Sequence, residues 1–168
     1  RGIVALKAQK PELKIMLSIG GWGSGRFSEM AANDKYRLAF AKDCKRVVKE
    51  FDLDGIDIDW EYPTSAAANI SASPDDTKNF TLLMRDIRKE KLLTLATVAS
   101  AEYIDFKAIL PYIDFVNIMS YDMGNAPKHH AALYRSENSG WMTVDAAVET
   151  HLKAGVPASK LVMGMPFY

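Results

Sequence analysis

Apolar residues gather in five short runs, at 13–19, 55–60, 92–98, 114–121 and 160–165. Runs of this length, bounded by polar or glycine-bearing stretches, predict buried strands. The segments between them carry helical spacing. After Asn33 and Asp34, either of which can cap a helix, Phe40, Cys44, Val47 and Phe51 recur on one face up to the second strand. The next helix has a defined start: Ser73 as N-cap, Pro74 as first residue, and Asp75 and Asp76 at the positive end of the dipole. Phe80, Leu83, Met84 and Ile87 form its apolar stripe. A short helix is expected over 106–110. A last one is expected from about Thr143 to Ala154, with Val144, Ala147, Val148 and Leu152 inward and Gly155 and Pro157 as the stop.

Strands alternating with helices imply an α/β class with parallel strands joined by crossovers, either an open doubly wound sheet or an eightfold barrel. The distribution of polar residues favours the barrel. Gly20, Gly21 and Trp22, then Asp59 and Glu61, then Tyr121 and Asp122, then Tyr168 follow the C-terminal ends of different strands, which in a barrel converge on one mouth. Five strands cannot close a barrel of eight. The expectation is therefore an incomplete (β/α)8 TIM barrel, with 1–168 a part of one domain and about three units lying outside this sequence.

Composition narrows the partners. The chain has 168 residues, is 48% hydrophobic and carries 21 basic and 21 acidic side chains, so no net basic field marks it for nucleic acid or an anionic membrane. A neutral or weakly charged ligand fits best. The one cysteine, Cys44, lies among apolar helix positions and reads as a packing residue rather than a reactive thiol.

The densest chemistry is acidic. Asp54, Asp57, Asp59 and Glu61 stand within eight positions, and the last three alternate with Ile56, Ile58 and Trp60. On a strand, Asp57, Asp59 and Glu61 share one face. A file of carboxyls is costly to bury ionised, which points to chemistry rather than packing. Repulsion from the inner aspartates is expected to raise the Glu61 pKa, the three titrating as a coupled set. The spacing lacks the glycine and ligand pattern of a calcium loop, so no metal is assigned. Asp54 reads as structural, capping the turn before the strand. Asn117, Met119 and Tyr121 share a face of the fourth strand, Met119 being as well suited to core filling as to substrate contact. His129 and His130 read as solvated loop residues.

The acidic run resembles the D-x-x-D-x-D-x-E signature of family 18 glycoside hydrolases, the chitinase family, at every fixed position. Ser18-Ile19-Gly20-Gly21-Trp22 is similar to that family's third strand end, Met119-Ser120-Tyr121-Asp122 to its sixth and Gly164-Met165-Pro166-Phe167-Tyr168 to its seventh. The resemblance implies strands three to seven of the barrel and hydrolysis of β-1,4 linkages between N-acetylglucosamine units. It implies Glu61 as proton donor and Asp59 as the group that holds the substrate acetamido N–H. Asp57 would share a proton or hydrogen bond with Asp59 and with Ser18 in the layer below. Tyr121 would donate to the acetamido oxygen. Trp22, Met119, Asp122, Tyr168 and Ser18 would form the substrate-binding set.

No cofactor is implied. The partner would be chitin or its oligosaccharides, the protein a monomer, and a polymeric substrate would place it outside the cell, in a periplasm or on a cell surface. Two alternatives remain in view. An endo-β-N-acetylglucosaminidase acting on N-glycans shares the mechanism, though the residues around Trp22 and Trp60 look more like chitinases. A sugar-binding lectin shares the fold, though lectins of this kind usually lose the acid or its aspartate partner.

Overall fold

The computed structural model describes residues 2–88 and 91–168. Five strands, β1 (Met16–Gly20), β2 (Gly55–Asp59), β3 (Leu92–Val98), β4 (Phe115–Met119) and β5 (Leu161–Met163), form one sheet in the order of the chain. Every adjacent pair is parallel. A doubly wound sheet reverses its strand order at a switch point. Here the order never reverses, which is the arrangement of a barrel segment.

Period-two alternation divides the middle strands cleanly. Ile56, Ile58 and Trp60 from β2 and its end, Leu93 and Leu95 from β3, and Val116 and Ile118 from β4 are buried in the apolar core. The intervening positions, Asp57, Asp59, Asn117 and Met119, are half-buried on the opposite face. The edge strands depart from the buried state that their apolar runs predict. Leu17 on β1 and Val162 and Met163 on β5 are exposed, because each of these strands is paired along one side only. The expected strand at 160–165 is correspondingly short, since its ladder with β4 ends at Ile118↔Met163.

Five helices accompany the sheet: α1 (Phe27–Ala32), α2 (Asp34–Glu50), α3 (Asp76–Ile87), α4 (Phe106–Ile109) and α5 (Val144–Lys153). Asn33 caps α2, its side chain accepting from the Tyr36 N–H at 3.2 Å. The α2 stripe is rotated from the expected one. Arg37, Ala41, Cys44 and Val48 are buried, while Phe40, Val47 and Phe51 pack at its margin. Arg37 is drawn inward by the Asp86 carboxylate at 3.0 Å and the Ala31 carbonyl at 2.7 Å, so a charged residue takes a core-facing position. Burial pushes the Cys44 thiol up to about 12, consistent with an inert packing role.

The α3 stripe of Phe80, Leu83, Met84 and Ile87 is buried as expected. The helix begins at Asp76, later than the expected Pro74, but Ser73 Oγ still accepts from the Asp75 N–H at 3.3 Å and Asp76 lies in the first turn as expected, fully buried. On α5, His151 takes the inward slot one turn after Ala147 and Leu152 turns outward. His151 Nδ1 lies 2.7 Å from the Ala147 carbonyl and its ring meets Phe106 edge-on, so the polar side chain fits the core once its hydrogen bond is made. Asp54 is structural: it accepts from the Ile15 N–H at 2.7 Å and from the Lys7 ammonium at 2.9 Å, fastening the entry to β1 onto the entry to β2.

Trp60 sets how the helices meet β2. Its indole stacks on Phe27 at 5.3 Å and meets Phe80 edge-on at 5.5 Å. Truncating a buried tryptophan of this kind costs on the order of 3–5 kcal/mol. The apolar half of the alternation thus holds α1 and α3, and the acidic half is left on the other face.

Candidate active site

β2 presents Asp57 and Asp59 on its half-buried face, and Glu61 follows two positions beyond the last strand residue. Asp57 is tied to three other strands. It accepts from Ser18 Oγ on β1 at 2.7 Å, from Thr94 Oγ1 on β3 at 2.6 Å and from Asn117 Nδ2 on β4 at 3.0 Å. All three donors are neutral, so they fix the carboxyl without adding a compensating charge. The bond expected between Asp57 and Ser18 is among them.

Asp59 is left uncompensated. Its Oδ1 is buried and has no hydrogen-bond partner among the described residues. Burial, then the negative charges of Glu61 and Asp57, push its pKa up to about 6. Glu61 is also raised, but by a different route from the one expected. Burial is the main cause, Asp122 adds a repelling charge, and the adjoining Tyr62 side chain works the other way. The Glu61 charge is felt at Asp59, where it adds to burial in raising the pKa of the carboxyl.

Tyr121 lies in the same field. Its hydroxyl is raised by burial and then by the charges of Asp59, Glu61, Asp122 and Asp57, which brings a residue just past β4 together with the file on β2. Its ring position requires Gly164. A Cβ there would stand 2.8 Å from Tyr121 Cε1 and 2.5 Å from the Ile118 carbonyl oxygen. Ser120 Oγ donates to the Gly164 carbonyl at 2.9 Å, fixing the end of β4 to the segment after β5. Gly20 serves the other side of the site. Its φ is +129°, and a Cβ would fall 1.9 Å from the Asp59 carbonyl oxygen. The neighbouring Gly21 N–H donates to that same oxygen at 2.8 Å.

Aromatic side chains border the carboxyls. Trp22 is 64% exposed and meets Tyr62 edge-on at 6.4 Å, and Tyr62 stacks on Tyr103 at 5.2 Å. Tyr168, also exposed, donates its hydroxyl to Asp122 Oδ2 at 2.8 Å and stands 6.5 Å from the Tyr121 ring. Met119 is half-buried on the β4 face that carries Asn117. Among the described residues no three His, Cys, Asp or Glu side chains are grouped to hold a metal ion. His129 is exposed, whereas His130 is half-buried, its Nε2 enclosed and its ring 5.8 Å from Tyr168.

Three members of this assembly escaped the sequence reading: Thr94, Tyr62 and Tyr103. Thr94 had a usable signal, as one of two threonines in the mostly apolar run of β3. Tyr62 and Tyr103 had none, because their contact joins two loops 41 positions apart in the chain.

This arrangement can hold one carboxyl protonated beside another that repels it, next to a phenol and an aromatic rim. Known proteins resemble the chain in sequence and fold. Residues 2–168 match the family described as Glycosyl hydrolases family 18. Chitinase A1 of Niallia circulans is 38% identical over 191 residues, covering 97% of this chain and 27% of that protein. Chitotriosidase-1 of Mus musculus is 33% identical over 191 residues, covering 98% of this chain and 40% of its own length. The chitinase domain of the spore coat protein CotE from Clostridium difficile superposes with a TM-score of 0.94 at 41% identity, over 99% of this chain and 53% of that one. A family 18 N-acetylglucosaminidase from Paenibacillus barengoltzii superposes with a TM-score of 0.92 at 40% identity, over 99% and 55%. The chain spans under half the length of these curated relatives and about half of the solved structures. On sequence and fold alike, it belongs to the glycosyl hydrolases of family 18.

Proposed function

We propose that this chain carries the catalytic centre of a chitinase that hydrolyses β-1,4 linkages between N-acetylglucosamine units with retention of configuration. The observation that carries the reading is the acidic file on one face of β2 with Tyr121 in its field. Glu61 is the proton donor, its pKa raised by burial in the direction a general acid needs. As its proton passes to the glycosidic oxygen and the C–O bond breaks, the carbonyl oxygen of the substrate's own acetamido group bonds to the anomeric carbon, giving a cyclic oxazolinium. This family is among those in which substrate assistance replaces a protein nucleophile. Water then attacks the same carbon, its proton returning to the Glu61 carboxylate, and the ring opens.

Asp59, with a buried oxygen left without a partner, holds the acetamido N–H, and the Tyr121 hydroxyl donates to the acetamido oxygen. Asp57, fixed by Ser18, Thr94 and Asn117, adds to the raised pKa of Asp59 from the preceding position on the same face. Trp22, Met119, Asp122 and Tyr168 bind the sugar rings, and Ser18 contributes through Asp57. In this reading residues 1–168 belong to a single catalytic domain and contribute barrel strands three to seven. The protein acts as a monomer on chitin or its oligosaccharides, outside the cell or at its surface.

Retention has a direct test. The first product released from a chitooligosaccharide, followed by NMR before mutarotation, is expected to be the β anomer. Initial α product would exclude an oxazolinium route.

A further inference from the structure

Asp76 is a carboxyl with no exposure to solvent and, among the described residues, no ion-pair partner. It accepts three hydrogen bonds: from Ser28 Oγ on α1 at 2.7 Å, from the Ser73 N–H at 2.7 Å and from the Thr64 N–H at 3.2 Å. Thr64 and Ser73 are the two ends of the loop that follows Glu61 and Tyr62. Both backbone donors converge on one oxygen, Oδ2, so the carboxyl gathers the ends of the loop while Oδ1 ties it to α1. The next residue of α3 acts on the facing segment. Thr77 Oγ1 donates to the Tyr103 carbonyl at 2.8 Å, and Tyr103 is the residue on which Tyr62 stacks. One turn of α3 therefore holds both halves of the aromatic pair beside Glu61.

We propose that Asp76 is a positioning residue for Glu61, pinning the loop from Tyr62 to Ser73 and with it the Tyr62 ring that adjoins Glu61 in the chain. The inference rests on the reading of Glu61 as the acid. A buried acceptor that satisfies three donors is costly to lose, since each donor left unpaired pays its desolvation penalty without compensation. Helix capping accounts for the Ser73 bond, an acidic side chain reaching back to the N–H of the capping residue, but not for the other two. The Thr64 and Ser28 bonds reach 12 and 48 positions along the chain, and their common effect is on the loop.

The test uses the intact enzyme and compares Asp76→Ala, Asp76→Asn and a control, Arg37→Ala, which breaks the buried Arg37–Asp86 pair between α2 and α3. Asp76→Ala is expected to lower kcat on a chitooligosaccharide about tenfold or more with KM changed by less than about twofold. It is also expected to move the alkaline limb of the pH profile upward, because the Tyr62 side chain, which favours the ionised Glu61, is no longer held in place. Removing the charge of Asp76 alone would move that limb downward, so the sign isolates position from electrostatics. Asp59, Asp57, Tyr121 and Asp122, the other titratable groups around Glu61, are unchanged in every variant.

Asp76→Asn is expected to behave close to wild type, its amide oxygen accepting both backbone N–H groups and its NH2 donating to Ser28 Oγ. Arg37→Ala is expected to lower the melting temperature without moving the limb. Should Asp76→Ala fail to fold, Ser28→Ala removes one of the three bonds and is expected to give a smaller shift of the same sign. Side-chain NMR titration of Glu61 reads that shift without turnover, so a wild-type protein inactive on chitooligosaccharides would sink the functional reading and leave this test standing. A limb that stays in place in Asp76→Ala and Ser28→Ala, or an Asp76→Asn as damaged as Asp76→Ala, overturns the proposal.

Discussion

Asn117 on β4 donates to Asp57 on β2 across 3.0 Å, over β3, which lies between them and pairs with both. In a flat sheet those two strands stand about 9–10 Å apart. Their side chains meet because the sheet is concave on this face, the curvature of a closing barrel. Ser18 on β1 and Thr94 on β3 are the register partners of Asp57 and reach its carboxyl directly. Three strands thus direct a polar side chain at one centre on β2, and the centre is an aspartate.

Asn117→Ala tests that centre. It removes one charge-assisted hydrogen bond, worth about 1.5–3 kcal/mol, and frees Asp57 to turn towards the unpartnered oxygen of Asp59. The expected result is a fall in kcat of about tenfold with a modest drop in melting temperature. Steady-state kinetics and thermal denaturation check it, and unchanged kcat would show that the bond has no part in holding Asp57.

Asp59 makes a stability prediction with a definite sign. Its folded pKa of about 6 stands above the ordinary 3.8. Folding therefore takes up a proton between those values, so the native state loses stability as pH rises through about 6. Asp59→Asn, which cannot ionise, is expected to melt above wild type at about pH 8, with the gap closing towards about pH 4. Activity is expected to fall in the same variant, the trade of function against stability common at active sites. A wild-type protein at least as stable as the variant at alkaline pH would contradict the uncompensated burial of this carboxyl.

The legible part of this molecule was its period-two half. Asp57, Asp59 and Glu61 alternate with Ile56, Ile58 and Trp60, and alternation on a strand is a local property that a sequence states directly. The same held for Asn117, Met119 and Tyr121 and for the α3 stripe. Misread features depended on contacts between distant segments. Arg37 enters the core because Asp86 and the Ala31 carbonyl await it, and His151 displaces Leu152 because Ala147 and Phe106 receive it. Asp76 looked like helix-end chemistry from its neighbours Ser73 and Pro74, and its bonds to Thr64 and Ser28 changed its meaning. The source of the Glu61 shift was assigned to the inner aspartates because they are near in sequence, whereas burial is its main cause and Asp122 adds a repelling charge.

The central claim is that Glu61 delivers the proton. Glu61→Gln keeps the side chain's shape and removes that proton, so turnover of a chitooligosaccharide is expected to fall by about two to four orders of magnitude while its binding, measured by calorimetry, is retained. Turnover close to wild type in this variant would contradict the account.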